Sequence, residues 1–155
     1  MVDLTGELKT LIATLEEQNI DYALCGGLAM AVHGYYRATD DIDLLIRRES
    51  LEEIKTIARS LGYTIEAQPM TFAKGAVEIR RLSKIDRKSG FVLSLDMLLV
   101  TSQTETAWIS RTEFEWTGQK LKVVSREGLV ALKLLRNNGQ DQDDIKYLLE
   151  VEDEG

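Results

Sequence analysis

The sequence has a single cysteine, a single proline and a single histidine among its 155 residues. Cys25 alone excludes an internal disulfide, and without cysteine or histidine neighbours it argues against a zinc site. Beside Leu24 it reads as a small buried filler rather than a reactive thiol. Pro69 falls in an expected loop, and no repeat, low-complexity tract or Pro/Ser-rich linker divides the chain. Basic residues are scarce: 19 Lys and Arg stand against 26 Asp and Glu, for a net charge of -7. That balance disfavours a dedicated nucleic-acid binder and leaves RNA only a local basic patch. No apolar run approaches the roughly 18 residues of a membrane span. The opening "MVDLTGELKT" lacks both the basic start and the apolar core of a signal peptide. The expectation is a cytoplasmic protein with no membrane partner.

What is present is an ordinary globular composition, 44% hydrophobic and 29% charged, enough for one domain with its own core. Apolar Leu4, Leu8, Leu11, Ile12 and Leu15 recur at helical spacing. "DYALC" reads as a short buried strand, and Gly26-Gly27 breaks into a helix of about two turns ending near Gly34. "DIDLLI" is the next strand. Ser50 with Glu53 forms the pattern of a capping box for a helix over 51–61, which Gly62 ends. Residues 63–66 and 76–82 read as strands, "FVLSLDMLLV" as a longer one, and "EFEWTGQKLKVV" as a hairpin turning at Thr117-Gly118. Ser125 caps a helix through Leu135, and a last helix follows from about Asp141 to Leu149. The order predicts an α/β (α+β) fold with a mixed sheet, its core over about 20–124 and a helical pair over about 125–150.

The chemistry concentrates in "LCGGLAMAVHGYYRATDDIDLLI", where Asp40, Asp41 and Asp43 crowd the head of a hydrophobic strand. Residues two apart in a strand share a face, so Asp41 and Asp43 project together while Asp40 and Ile42 turn away. Two ionised carboxylates at that spacing repel by about 2–3 kcal/mol at an effective dielectric near 20. A divalent cation reverses the sign, because hard Mg²⁺ takes such oxygens and shares its other positions with phosphates. Asp96 lies inside "VLSLDMLLV" among aliphatic neighbours, where a solvated carboxylate is not the easy explanation. If its strand pairs beside the first, three carboxylates converge, a set able to hold two Mg²⁺ ions. Gly26 and Gly27 let the backbone approach a ligand, and the helix start offers unpaired N–H groups to an anion. Each feature has a plainer reading as well: a solvated turn, a satisfied structural acid, a simple strand-to-helix turn.

The Gly-Gly pair opening a short helix, "HGYYRATDDID" leading into an apolar strand, and a later strand aspartate resemble the nucleotidyltransferase superfamily with a polymerase-β-type core. The likeness is closest to small bacterial members, the minimal nucleotidyltransferases and the AbiEii-like proteins of abortive-infection and toxin–antitoxin systems. It runs from about Tyr22 to Val100, and "SREGLVALKLLRNNGQDQDDIKYLL" is similar to the tail of those proteins. The resemblance implies that Gly26 and Gly27 form a phosphate-binding turn, and that Asp41, Asp43 and Asp96 are metal ligands and catalytic acids. Asp96 would also take the proton of an acceptor hydroxyl. It implies transfer of a nucleoside monophosphate from an NTP, with magnesium, to a protein side chain, an RNA end or a small molecule. Where many members have Gly-Ser at the turn, Leu28 follows Gly26-Gly27 here. The rival expectations are an antitoxin-like partner that binds a toxin-like protein without catalysis, and an inactive NTP sensor.

Accessory residues read two ways. Arg37 either reaches a phosphate or pairs with Asp40. Lys133, one polar position on an apolar helix, either points to the triphosphate or snorkels to solvent. Thr39 either orients the acid strand or serves the turn. His33, Trp108 and Trp116 read as packing residues.

Overall fold

The protein is seen here as a computed structural model that describes residues 3–36 and 38–136, together with 146, 148 and 149. Helix α1 (Leu4–Glu17) is capped by Asp3, whose carboxylate accepts the Gly6 N–H, and buries Leu8, Leu11, Ile12 and Leu15. Strand β1 (Ala23–Cys25) runs directly into α2 (Gly26–Val32), followed by β2 (Asp41–Ile46) and α3 (Leu51–Ser60). Then come β3 (Ile65–Glu66), β4 (Met70–Phe72), β5 (Val77–Ile85) and β6 (Val92–Leu99). Helix α4 (Glu105–Ile109), the hairpin β7 (Thr112–Trp116) and β8 (Gln119–Val123), and α5 (Arg126–Arg136) complete the described elements.

The strands form a mixed sheet in the order β3-β5-β6-β2-β1-β8-β7, with β4 also paired to β5. This is the mixed α/β class that the alternation of patterns predicts. Strand β2 is parallel to β6 and antiparallel to β1, which is itself parallel to β8. Long antiparallel pairing joins β5 to β6. Leu44, Leu45 and Ile46 of β2, and Leu95, Met97 and Leu99 of β6, are buried, as central strands covered on both faces require.

Helices α1 and α3 cover one face. Tyr63, just beyond α3, donates its hydroxyl to Glu7 of α1 at 2.8 Å. Lys84 of β5 reaches Glu7 at 2.5 Å and donates to the Leu61 carbonyl at 3.1 Å. Strand alternation therefore points Leu82 and Lys84 toward those helices, and Arg81 and Ser83 toward the opposite face. That opposite face is where the acids lie.

Several local expectations are corrected. Ser50 makes no capping bond, because a 3₁₀ turn over Arg48–Ser50 already feeds α3 and leaves Ser50 near-helical (φ -90°, ψ -7°). A capping side chain needs an extended backbone to fold back onto the first N–H groups. The strand placed at 63–66 is reduced to Ile65–Glu66, since Tyr63 is drawn into the core instead. Strand β5 runs three residues beyond Leu82, held by pairing to β6 as far as Ile85↔Val92. Strand β4 and helix α4 carry too little periodicity for their length to be read from sequence. By contrast the hairpin turns where expected: Thr117 (φ 48°) and Gly118 (φ 79°) supply the two positive φ angles of a type I′ turn. The last helix, over about 141–149, falls almost wholly outside the described residues.

Ser125 does act as a cap: its hydroxyl accepts the Gly128 N–H at 3.1 Å and lies 2.8 Å from the Ser110 hydroxyl. Ser125→Ala is therefore expected to lower the unfolding free energy by about 1 kcal/mol, whereas Ser50→Ala costs less than about 0.5 kcal/mol. Urea denaturation of the two variants side by side checks this contrast.

Candidate active site

The parallel register of β2 and β6 sets Asp41 opposite Ser94 and Asp43 opposite Asp96. Paired residues share a face, so Asp41, Asp43 and Asp96 all emerge on the side away from α1 and α3. Strand β1 continues the row on one flank, with Cys25 opposite Asp43. On the other flank β5 sets Arg81 opposite Asp96 and Ser83 opposite Ser94, and the two serine hydroxyls lie 3.0 Å apart.

Arg81 was not evident from the sequence, and it changes the electrostatics of the site. Its Nε donates to Asp96 Oδ1 at 2.6 Å and its Nη2 to Asp96 Oδ2 at 2.8 Å, a bidentate fork. Asp96 is only 5% exposed, so it is the buried partner of a half-exposed arginine. The buried carboxylate that seemed to require a metal already has a counter-charge. In "VEIRRLSKI" the signal was available: alternation from buried Val77 and Ile79 puts Arg81 on the same face as those apolar residues.

Asp41 has no such compensation. Burial raises its carboxyl above the ordinary aspartate value, and the neighbouring charges of Asp40 and Asp96 raise it further; Arg81 offsets this in part. The contribution of Asp40 departs from the alternation expected of a strand. Because β2 begins at Asp41, Asp40 belongs to the preceding loop, and its carboxyl stands beside that of Asp41 rather than on the opposite face.

The glycine turn abuts the acids. Gly26 has φ +69°, a left-handed value, and a Cβ there would lie 2.1 Å from Oδ2 of Asp43. Both observations require glycine. A Cβ on Gly27 would come within 3.1 Å of the Thr39 side chain, whose hydroxyl in turn accepts the Asp41 N–H at 3.4 Å. Thr39 thus steadies the entry to β2.

Of the accessory residues, Arg37 lies outside the described residues. Lys133 is buried on α5 at 5% exposure and is engaged in an interaction, so the expectation that it snorkels to solvent is corrected. His33 is a packing residue: its Nε2 donates to the Val124 carbonyl at 2.9 Å and its ring meets Phe114 edge-on at 5.8 Å. Trp108 is buried and flanked by the guanidinium groups of Arg47 and Arg111. A groove of about 480 Å³ runs past His33, Phe114 and Arg126, and none of the three acids lines it. Its one lining carboxylate is Glu127, and the groove is separate from the row of acids.

Two observations bear on whether a divalent ion suits this donor set. Asp41 and Asp43 are hard oxygen donors on one face, and Asp41, whose carboxyl is raised first by burial and then by the charges of Asp40 and Asp96, stands among like charges that a cation would offset. Asp96 commits both oxygens to Arg81, and among the described residues no group of three His, Cys, Asp or Glu side chains is placed to hold a metal ion. The donor chemistry fits through Asp41 and Asp43.

The comparisons with known proteins bear on the family and the fold. A family model described as "Uncharacterised nucleotidyltransferase" matches residues 2–146. The chain belongs to this nucleotidyltransferase family. No curated protein sequence matches it. Among solved structures, the lincosamide antibiotic adenylyltransferase LnuA with lincomycin bound is 19% identical, with a TM-score of 0.62 over 92% of this chain and 94% of that one. A Thermotoga maritima protein described provisionally as a nucleotidyltransferase is 15% identical, with a TM-score of 0.66 over 97% and 96%. ANT(2")-Ia in complex with adenylyl-2"-tobramycin is 14% identical, with a TM-score of 0.65 over 94% and 87%. At these identities the likeness is one of fold, and the fold is that of nucleotidyltransferases. Among the described residues no helix is long and apolar enough to cross a membrane.

Gly26→Ala combines a left-handed backbone with a collision against Asp43, and is expected to cost at least about 2 kcal/mol of stability. Asp41→Asn has the opposite effect without metal. Because the folded state holds the Asp41 proton more tightly than the unfolded chain, wild-type stability falls as pH rises from the ordinary aspartate value through the raised one. The substitution removes that loss, so the thermal midpoint of Asp41→Asn should exceed that of wild type at neutral pH in chelator, and the gap should close in acid.

Proposed function

We propose that the protein transfers a nucleoside monophosphate from an NTP to a hydroxyl group of a small acceptor molecule, with Mg²⁺ held by Asp41 and Asp43. The observation that carries this reading is the register Asp43↔Asp96, which puts the acids of two strands on one face beside the Gly26 turn. Membership of the nucleotidyltransferase family supports the NTP as donor. The fold likeness to LnuA with lincomycin and to ANT(2")-Ia with adenylyl-2"-tobramycin supports a small-molecule acceptor over an RNA end, as does the net charge of -7.

The residues divide the work as follows. Gly26 and Gly27 let the turn before α2 pack closely against Asp43 and Thr39, which sets the backbone N–H groups that would meet the phosphates beside the acids. Asp41 and Asp43 bind the cation, which when bound neutralises charge on the phosphate oxygens. Asp96 accepts the proton of the acceptor hydroxyl. The acceptor oxygen forms its bond to the α-phosphorus as the bond to the bridging oxygen breaks, and that oxygen leaves with the electron pair as pyrophosphate. Lys133, buried on α5, supplies positive charge toward the triphosphate.

One observation favours a second reading, an NTP-binding protein that does not transfer: Asp96 is bound at both oxygens by Arg81. Pyrophosphate release separates the two. With Mg²⁺, each NTP in turn and a panel of hydroxylated small molecules, wild type is expected to release pyrophosphate in step with acceptor consumption. Asp43→Asn should lower that rate by at least about 100-fold, since even residues that merely support a ligand are worth 10–100-fold. A matched NTP at about 100 times its Kd should also stabilise wild type by about 2.7 kcal/mol, a gain lost in Asp43→Asn. Stabilisation without pyrophosphate release would favour the second reading, and neither response would overturn both.

A further inference from the structure

The fork between Arg81 and Asp96 has a consequence for the metal as well as for the acid. Arg81 stands on β5, one strand beyond the acids, and its side chain remains 37% exposed while that of Asp96 is 7% exposed. Besides Asp96 it is attracted by the charges of both Asp41 and Asp43. One fixed positive charge therefore faces three carboxylates on a single sheet face. A divalent ion entering at Asp41 and Asp43 meets that charge already in place.

We infer that Arg81 is a built-in counter-cation of this site: it holds the Asp96 carboxylate aimed through the fork, and it competes electrostatically with the divalent ion for the same carboxylate field. The inference rests on the reading of Asp41 and Asp43 as the metal-binding pair. Arg81 is a positioning residue, acting through Asp96 rather than on the reacting atoms. Its geometry supports a double role. The fork fixes the orientation of Asp96, because two parallel N–H···O bonds define a plane that a single contact does not. It also occupies both Asp96 oxygens, so Asp96 accepts a proton or joins a metal only with a lone pair that the fork leaves over, or after one of the two bonds opens. The partly exposed flank of Arg81 gives the guanidinium room to make that shift. Metal affinity is thereby kept modest in the empty site, and the buried acid avoids the cost of an unpaired charge.

The test uses Mn²⁺ alone as probe, counted by the electron paramagnetic resonance of the free ion, on wild type, Arg81→Met, Arg81→Lys and Asp43→Asn. Wild type is expected to bind Mn²⁺ and Asp43→Asn to bind it poorly. Arg81→Met, of similar length but uncharged, should bind Mn²⁺ at least roughly tenfold more tightly, since a unit charge about 6 Å from a divalent ion is worth that much even at a water-like dielectric near 80. Arg81→Lys keeps the charge but not the fork, and should bind Mn²⁺ about as weakly as wild type. Near-UV circular dichroism verifies that each variant is folded; if Arg81→Met unfolds, Arg81→Gln, uncharged and polar, replaces it. Arg81→Gln should then bind Mn²⁺ more tightly than wild type, and equal tightening in Arg81→Lys, which keeps the charge, would overturn the charge argument. Unchanged or weaker binding by folded Arg81→Met, with wild-type binding lost in Asp43→Asn, overturns the role of Arg81 alone. No Mn²⁺ binding at millimolar levels by wild type or by Arg81→Met overturns the metal-site reading and this inference together.

Discussion

The parallel pairing of β2 with β6 is the constraint on which the rest of the site depends. It brings together two stretches about 50 residues apart in the chain, and its register decides which side chains share a face. A slip of one residue would send Asp96 among α1 and α3 and bring Leu95 or Met97 beside Asp43. The apolar residues of the two strands hold the register, since Ile42, Leu44, Leu95, Met97 and Leu99 are all buried. The hydrophobic core therefore does more than stabilise the fold. By burying one set of side chains it compels the alternate set, the acids, onto the other face.

Compelling acids onto one face accumulates charge, and the structure compensates unevenly. Asp96, the most buried, is matched by the bidentate Arg81. Asp41 carries the remainder, crowded by Asp40 and Asp96 and only partly relieved by Arg81. The result is residual negative charge at the edge of the site and a satisfied acid at its centre. The close approach of Gly26 to Asp43 extends the same logic to the backbone. The turn and the acid pack so tightly that position 26 has no room for a Cβ.

Much of this was legible beforehand, in proportion to how local the determinants are. The face shared by Asp41 and Asp43, the glycine break after Cys25, the Thr117-Gly118 turn and the Ser125 cap each follow from a few adjacent residues. Asp40 misled because alternation holds only inside a strand: β2 begins at Asp41, as expected, so Asp40 lies in the preceding loop and the rule does not reach it. Ser50 misled because a 3₁₀ turn, set by the path of the chain between β2 and α3, took the place of the extended cap. Lys133 is buried rather than snorkelling, since the packing around α5, not its own polarity, sets its exposure.

The sequence by itself determined which residues are able to carry the chemistry: a glycine pair, an acid pair at strand spacing, and an acid within an aliphatic run. These are properties of short segments, fixed by backbone periodicity and side-chain type. Only the tertiary structure decided that Asp96 answers to Asp43 across a parallel register, and that Arg81 answers to Asp96 across an antiparallel one. Both pairings join segments whose proximity is set by burial of the whole sheet, and nothing within either segment encodes its partner.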